Sequence, residues 1–220
     1  MSTPDLPELY KYADLLPGER SWIKLAPPGR FPLSVPKKNP KQAAVLILLF
    51  MDNAELCTLL IKRTSNPQDP HSGQLSFPGG KWEEADASYW NTAIRETQEE
   101  TGIEAEKIEH IYSLSTLYVP VSNFEIYPQI GWIEDTFNLE LSASEAEQAF
   151  IVPLTKFSDG KLIKYMPYPN EGNNKEQWEI PYYDLSIGIP LWGATAMIIT
   201  ELVDWFAEIN KNQSQAELAI

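Results

Sequence analysis

Cysteine is nearly absent from this 220-residue sequence: Cys57 stands alone, so no disulfide can form within the chain. It lies inside the apolar run Leu56–Ile61, where a thiol is expected to fill core space rather than attack a substrate. Basic residues are scarce as well. Lys and Arg total 17 against 31 Asp and Glu, leaving a formal net charge of −14 and no long basic run. That balance argues against nucleic acid as a partner, because proteins that bind its backbone carry a basic stripe. A small anion is still accessible if divalent cations stand between it and the carboxylates. Long apolar runs are missing too. The longest, Ala43–Met51, is half the ~20 residues that a bilayer-spanning helix requires. Met1–Leu9 is polar, acidic and proline-bearing, unlike a secretory signal or a basic transit peptide. The expectation is a soluble, cytoplasmic protein with no membrane partner.

What is present suffices for one domain. Hydrophobic residues make up 43% of the chain, with seven tryptophans among them. A domain of this size buries roughly 70–75% of the surface its unfolded chain exposes. Eight of the 18 prolines fall in Met1–Lys41, including Pro32 and Pro36, which bars long helices and central strands there. Residues 1–42 therefore read as an extended arm with a short helix (Leu6–Leu16), packed on the domain through Trp22, Ile23 and Leu25. The domain proper is expected over 43–210, with a polar, frayed tail at 211–220. Ala43–Met51 and Leu56–Lys62 predict a hairpin turned at Asp52-Asn53, and Gln74–Phe77 a short strand stopped by Pro78-Gly79-Gly80. Asp86 is placed to cap a helix over Ala87–Thr101, with Gly102 as its left-handed stop. His110–Val119 pairs with Glu125–Ile133, and Glu145–Leu154 is a strand leading into a short helix near Thr155–Ser158. Leu162–Met166 and Trp178–Leu185 form a hairpin about Pro169–Asn174. In Ala194–Asn210, Ala194, Ile198, Leu202, Trp205 and Ile209 recur at helical spacing. Strands mixed with two long helices predict an α+β sandwich, the sheet lying between helices.

The chemistry concentrates between Phe77 and Ile103. Glu96, Glu99 and Glu100 stand at i, i+3 and i+4, so their carboxylates share one face of a helix. Such a face is ordinarily solvated surface, its ion pairs worth under ~0.5 kcal/mol each. Here a diglycine turn precedes it and a glycine stop follows. Three carboxylates gathered this way repel unless cations neutralise them, and hard oxygen ligands suit magnesium or manganese. Arg95 stands at the spacing to pair with Glu99.

This stretch resembles the signature box of the Nudix hydrolases. Its second half reads Arg95-Glu96-Thr97-Gln98-Glu99-Glu100-Thr101-Gly102-Ile103. Its first half is Gly80, five residues, then Asp86 in place of the usual Glu, and eight rather than seven residues to Arg95. Both departures resemble the coenzyme A pyrophosphatase branch. So do Leu59-Leu60-Ile61-Lys62-Arg63, the run from His71 to Gly80, the arm motifs Leu16-Pro17-Gly18 and Ala26-Pro27, and Leu191–Ala196. One arginine of that branch, expected between the Lys62-Arg63 pair and His71, is missing where Gln68 and Asp69 stand.

The resemblance implies a Nudix-type α/β/α sandwich with a mixed central sheet, and magnesium- or manganese-dependent cleavage of a pyrophosphate linkage. Glu96, Glu99, Glu100 and the Gly79 carbonyl would bind the metals, and Arg95 would orient the carboxylates. The base would be Glu96 or a downstream residue, Glu145 leading and Glu147 the alternative. Arg63 and Lys81 are candidates for phosphate contact, His71 for the pocket lining, and Tyr118–Phe124 for a wall against the substrate's organic part. Trp90 and Trp192 are expected in the core. Coenzyme A or its acyl derivatives lead as substrate. ADP-ribose, dinucleotides and nucleoside triphosphates, or a non-catalytic nucleotide-binding module, are the alternatives. An isomerase on the same fold needs a pocket cysteine, which Cys57 is not expected to be. The partner is a small nucleotide-derived molecule, and apolar residues near the arm would permit a homodimer.

Overall fold

Proline fixes φ and withholds an amide donor, so the N-terminal arm builds only short helical pieces. The computed structural model describes residues 4–30, 36–65, 71–158, 160–168 and 178–218. Leu6–Leu15 is a 3-10 helix kinked at Tyr12, and α1 (Glu19–Trp22) is a single turn. Leu9, Trp22 and Leu25 are buried, whereas Ile23, expected beside them, is 59% exposed. Trp22 and Leu25 are three residues apart and share the inward side, which leaves Ile23 outside.

The hairpin of β1 (Lys41–Asp52) and β2 (Glu55–Arg63) forms, but Asp52 pairs with Glu55 and the turn is Asn53-Ala54, one residue later than expected. Both turn residues have positive φ, the backbone twist that suits a two-residue hairpin loop. There follow β3 (Leu75–Ser76), β4 (Gly79–Lys81), α2 (Tyr89–Thr101), β5 (Glu109–Ser113), β6 (Leu117–Val119), β7 (Phe124–Trp132) and β8 (Ala146–Pro153). These eight strands form one sheet in the order β3-β2-β1-β7-β5, with β4 beside β1, β6 beside β7 and β8 beside β2. The β1–β7 pair is parallel and the others antiparallel, so the sheet is mixed.

The single strand expected over His110–Val119 is broken in two. Ser113 pairs with Gln129 and Leu117 with Ile126, and Pro128 stands opposite the gap. Proline has no amide to offer a partner there. Its carbonyl still accepts a hydrogen bond from Leu114 N at 3.0 Å.

A second, antiparallel sheet joins β9 (Ile163–Tyr168), β10 (Trp178–Tyr183) and β11 (Leu191–Trp192) in the order β11-β10-β9. The turn expected at Pro169–Asn174 lies outside the described residues, as do Pro32, Gln68 and Asp69. The chain closes with α3 (Gly193–Leu218). This helix continues past Asn210, where a frayed tail was expected, because residues 211–218 hold no Gly or Pro and several good helix formers. Gln213 Nε2 within that extension donates to Tyr12 Oη at 3.0 Å.

Alternate residues of β1 and β2 bury on opposite faces of the sheet. Leu46, Leu48, Phe50, Cys57 and Leu59 pack with Ala93 of α2 and with Ile103. Ile47, Leu49 and Leu60 pack with Ile198, Leu202, Trp205 and Ile209 of α3, joined by Leu9, Trp22 and Leu25 from the arm. The architecture is therefore helix, sheet, helix. Cys57 is 1% exposed and packs in the core on the α2 side of the sheet, where burial pushes its thiol pKa up.

Candidate active site

Helix α2 brings its glutamates against the diglycine turn through a network centred on Arg95. Asp86 was expected to cap the helix, but Ser88 does so, its Oγ accepting from Asn91 N at 3.2 Å. The helix starts two residues later than expected, which releases Asp86 for a different task. Its carboxylate takes both arms of the Arg95 guanidinium, from Nε and from Nη2 at 3.0 Å each. It also accepts from Glu83 N at 3.1 Å and Thr92 Oγ1 at 2.9 Å. With Arg95 contributing most, these donors hold the Asp86 pKa down at about 2. A bidentate pair of this kind fixes an arginine in orientation as well as in place.

Arg95 then passes that order to the glutamates. Its Nη1 lies 2.9 Å from Glu96 Oε1 and 3.1 Å from Glu99 Oε2, while Nη2 donates to the Lys81 carbonyl at 3.3 Å. The partners of Arg95 raise its pKa further, Asp86 first. Glu96 tucks into the space over Gly80, where a Cβ would come within 2.3 Å of the Glu96 carboxyl carbon. Burial pushes the Glu96 pKa up, with Arg95 opposing. Glu100 goes deepest, 3% exposed, with Gly79 N donating to its Oε2 at 2.9 Å. Burial pushes its pKa up to about 8; Gly79 N and Arg63 oppose, and Glu96 and Glu145 add to the rise. The three expected ligands thus differ. Glu96 and Glu100 line a cleft of about 180 Å³, and Glu99, its side chain 51% exposed, does not.

Across the cleft stand Arg63, Thr64, Ser144 and Glu145. Glu145 sits in a turn closed by Glu145 N and Ala146 N donating to Ser142 O at 2.9 and 2.8 Å. That turn is strapped on two sides. Glu140 N and Ser142 N bond the Thr101 and Glu100 carbonyls at the end of α2, at 2.8 and 3.0 Å. Thr64 N bonds the Glu145 carbonyl at 2.9 Å, and Thr64 Oγ1 bonds Ala143 O at 3.3 Å. Gly102, with φ of 73°, lets the strap pass, since a Cβ there would meet Glu140 Cβ at 2.8 Å. Glu147 faces elsewhere: it pairs with Lys62 Nζ at 2.5 Å and accepts from Ser65 N at 2.9 Å. These partners hold the Glu147 pKa down at about 2. Of the two downstream acids, Glu145, the leading candidate, lines the cleft, and Glu147, the alternative, does not.

Of the expected substrate contacts, Arg63 lines the cleft, and Lys81 and His71 do not. Lys81 follows Gly80 in β4, so its side chain leaves the sheet on the face opposite Glu96. Asp86, Thr64 and Ser144 were not foreseen in these roles. The box position of Asp86 was a signal for it; Thr64 and Ser144 left none.

Among the described residues, no three His, Cys, Asp or Glu side chains are already drawn together as a metal cage. The donor set still fits a hard divalent cation. Glu96, Glu100 and Glu145 share one cleft, and Glu100 accepts one hydrogen bond from a described residue, leaving lone pairs for a cation.

A family model for the NUDIX domain matches residues 40–166. The chain belongs to the Nudix family. Among curated Nudix relatives, the protein named "Nudix hydrolase 15, mitochondrial" from Arabidopsis thaliana is 34% identical over 172 residues. That match covers 73% of this chain and 57% of the plant protein, so the chain spans little more than half of that relative. "Uncharacterized Nudix hydrolase NudL" of Pectobacterium atrosepticum is 33% identical over 178 residues, covering 79% of this chain and 89% of that one. Two solved structures share the Nudix fold. The hydrolase RenU of M. smegmatis superposes with a TM-score of 0.53 at 16% identity, covering 77% of this chain and 88% of that one. The MutT protein of Methanosarcina mazei does so at 0.50 and 18% identity, covering 80% and 99%.

Proposed function

We propose that this Nudix protein hydrolyses the diphosphate linkage of a nucleoside diphosphate derivative with the help of magnesium or manganese, and that coenzyme A or an acyl-coenzyme A is its substrate. The observation that carries the reading is the cleft itself: Glu96, Glu100 and Glu145 surround one space, with Arg63 on its wall. Carboxylates so placed repel one another, and a divalent cation with the substrate's phosphates turns that repulsion into binding. Glu96 and Glu100 would hold the metal with the Gly79 carbonyl. Once bound, the metal would neutralise charge on the diphosphate and lower the pKa of the attacking water. Arg63 pairs with phosphate oxygens. Glu145, locked by its strap, takes the water's proton while the water oxygen attacks phosphorus and the bridging oxygen leaves. Arg95 holds Glu96 in register through Asp86.

The choice of coenzyme A rests on the resemblance of the upstream and box motifs to that branch. Cleavage there yields phosphopantetheine and adenosine 3′,5′-bisphosphate. Mass spectrometry of products from coenzyme A, ADP-ribose, a dinucleotide and a nucleoside triphosphate with magnesium tests both levels. Coenzyme A is expected to give the two named products. Turnover of another member and not of coenzyme A rejects the substrate; no turnover of any rejects the hydrolase.

A further inference from the structure

The turn that holds Glu145 also presents a hydroxyl to the cleft. Ser144 lines it beside Arg63 and Glu145, and its Oγ lies 2.9 Å from Ser142 Oγ. Ser142 is the centre of the turn. Its carbonyl accepts from Glu145 N and Ala146 N at 2.9 and 2.8 Å, and its amide donates to the Glu100 carbonyl at 3.0 Å. The two hydroxyls thus form a short chain, fixed at one end to α2 and open at the other to the cleft. Each has one proton to give, and the bond between them uses one of the two. Neither hydroxyl has another partner among the described residues, so the second proton is uncommitted.

An anion in the cleft decides which hydroxyl gives that proton. Negative charge draws it to Ser144, whose Oγ then accepts from Ser142 while donating outward. Hydroxyls aligned in this way polarise one another, so the outer bond is stronger than that of a serine alone. The other hydroxyl on the cleft wall, Thr64 Oγ1, already donates to the Ala143 carbonyl at 3.3 Å, which leaves Ser144 to answer a ligand. A neutral donor has an advantage at this position. A lysine next to Glu145 would ion-pair with the carboxylate that has to take the water's proton. A hydroxyl holds a phosphate oxygen and leaves that carboxylate open.

We propose that Ser144 is a substrate-contacting residue, its hydroxyl donating to a non-bridging oxygen of the phosphoryl group under attack and oriented by Ser142. Glu145, its chain neighbour, serves the attacking water, so one phosphoryl group lies within reach of both. The inference rests on the hydrolase reading above, with Arg63 supplying charge to the diphosphate and Ser144 a directed neutral bond. The contact acts on the anion and not on the metal, which separates it from a purely structural role in the turn.

Calorimetric titration with methylenebisphosphonate, a diphosphate mimic whose P–C–P bridge does not hydrolyse, reads the contact without turnover. With magnesium present, Ser144→Ala is expected to bind the mimic about tenfold more weakly than wild type, the loss of one hydrogen bond to a charged group. Ser144→Thr keeps the hydroxyl and should stay within about threefold of wild type, with Ser142→Ala between the two. Magnesium affinity without the mimic should be the same in all four proteins, because the carboxylates stay in place. Ser144 is exposed, so its variants are expected to fold. Equal binding of the mimic by wild type and Ser144→Ala, a Ser144→Thr as weak as Ser144→Ala, or a magnesium affinity that falls in parallel would each overturn the contact. Turnover of the four-substrate panel by the same proteins keeps the two readings apart. A wild type that cleaves nothing yet shows the binding gap refutes the hydrolase alone; an active wild type without the gap refutes the contact alone.

Discussion

Glu100 and Glu201 are both buried glutamates on helices, one on each side of the main sheet, and their surroundings differ in a way that separates chemistry from architecture. Glu201 on α3 is fully buried and accepts from Trp22 Nε1 at 2.9 Å and Ser115 N at 3.2 Å. It staples the arm and the β5–β6 connection to the helix. Glu100 on α2 accepts from Gly79 N and otherwise faces a cleft that holds Glu96 and Glu145. Burial raises the pKa of both. For Glu201 the remaining influences are hydrogen-bond donors that oppose the rise; for Glu100, neighbouring carboxylates add to it. Burial and a raised pKa are therefore common to staple and site. What marks the site is unfilled acceptor capacity beside like charge.

Substituting the two residues should give opposite outcomes. Glu100→Gln is expected to lose several kcal/mol of transition-state stabilisation, on the order of 10³-fold in kcat, with an unchanged or higher Tm. Glu201→Ala strands the Trp22 and Ser115 donors at about 1–3 kcal/mol each. For a chain of this size that lowers Tm by roughly 5–15 °C, with activity per folded molecule retained. Steady-state kinetics beside calorimetric melting reads both; a cold-stable, active Glu100→Gln would break the comparison.

Asp86 should show both characters, since it is a buried staple whose partner orients the site. Asp86→Asn is expected to lower kcat about tenfold and stability by about 1–3 kcal/mol. Its pKa lies below the ordinary 3.8, at about 2, so its stabilisation is fully present above pH 3.8 and disappears as pH falls through 2. Denaturant melts should thus show a constant gap between wild type and Asp86→Asn from pH 5 to 8, closing on acidification below pH 4.

The Glu201 pKa moves the other way. Its stabilising effect is complete below the ordinary value of 4.5 and is lost as pH rises through the raised folded value. Wild type should lose stability relative to Glu201→Gln as pH rises from 4.5 to 7, read by urea titration. A gap independent of pH would show that Glu201 is not strained by its charge.

The smallest effect concerns the strap. Thr64→Val removes the bond to the Ala143 carbonyl and should reduce kcat about threefold, moving Tm by about 1–2 °C, whereas Thr64→Ser should restore the rate. An unaltered rate in Thr64→Val would mean that the backbone bond from Thr64 N to Glu145 O positions the turn alone.

Much of the site was legible beforehand. Helical periodicity put Glu96, Glu99 and Glu100 on one face, and Gly102 adopts the left-handed stop expected of it. The spacing also foretold the Arg95–Glu99 pair, but not that Glu99 would stay outside the cleft while Glu96, bonded to the same guanidinium, enters it, because that depends on where Asp86 anchors Arg95. Nor could alternation separate Glu145 from Glu147, since the turn that holds Glu145 ends one residue before β8 begins. The break between β5 and β6 was legible in Pro128 only once its partner strand was known.

By itself, the sequence determined the hairpin β1–β2, the helix that carries the acids, its glycine stop and the proline arm, for these follow from side-chain period, turn residues and fixed φ over a few neighbours. Tertiary structure decided which acids meet in one cleft, which one pairs with Lys62 and which one fastens the arm. Those outcomes depend on charges and donors 20 to 180 residues apart along the chain, such as Gly79 with Glu100 and Trp22 with Glu201, whose proximity only the packed sheet and helices create.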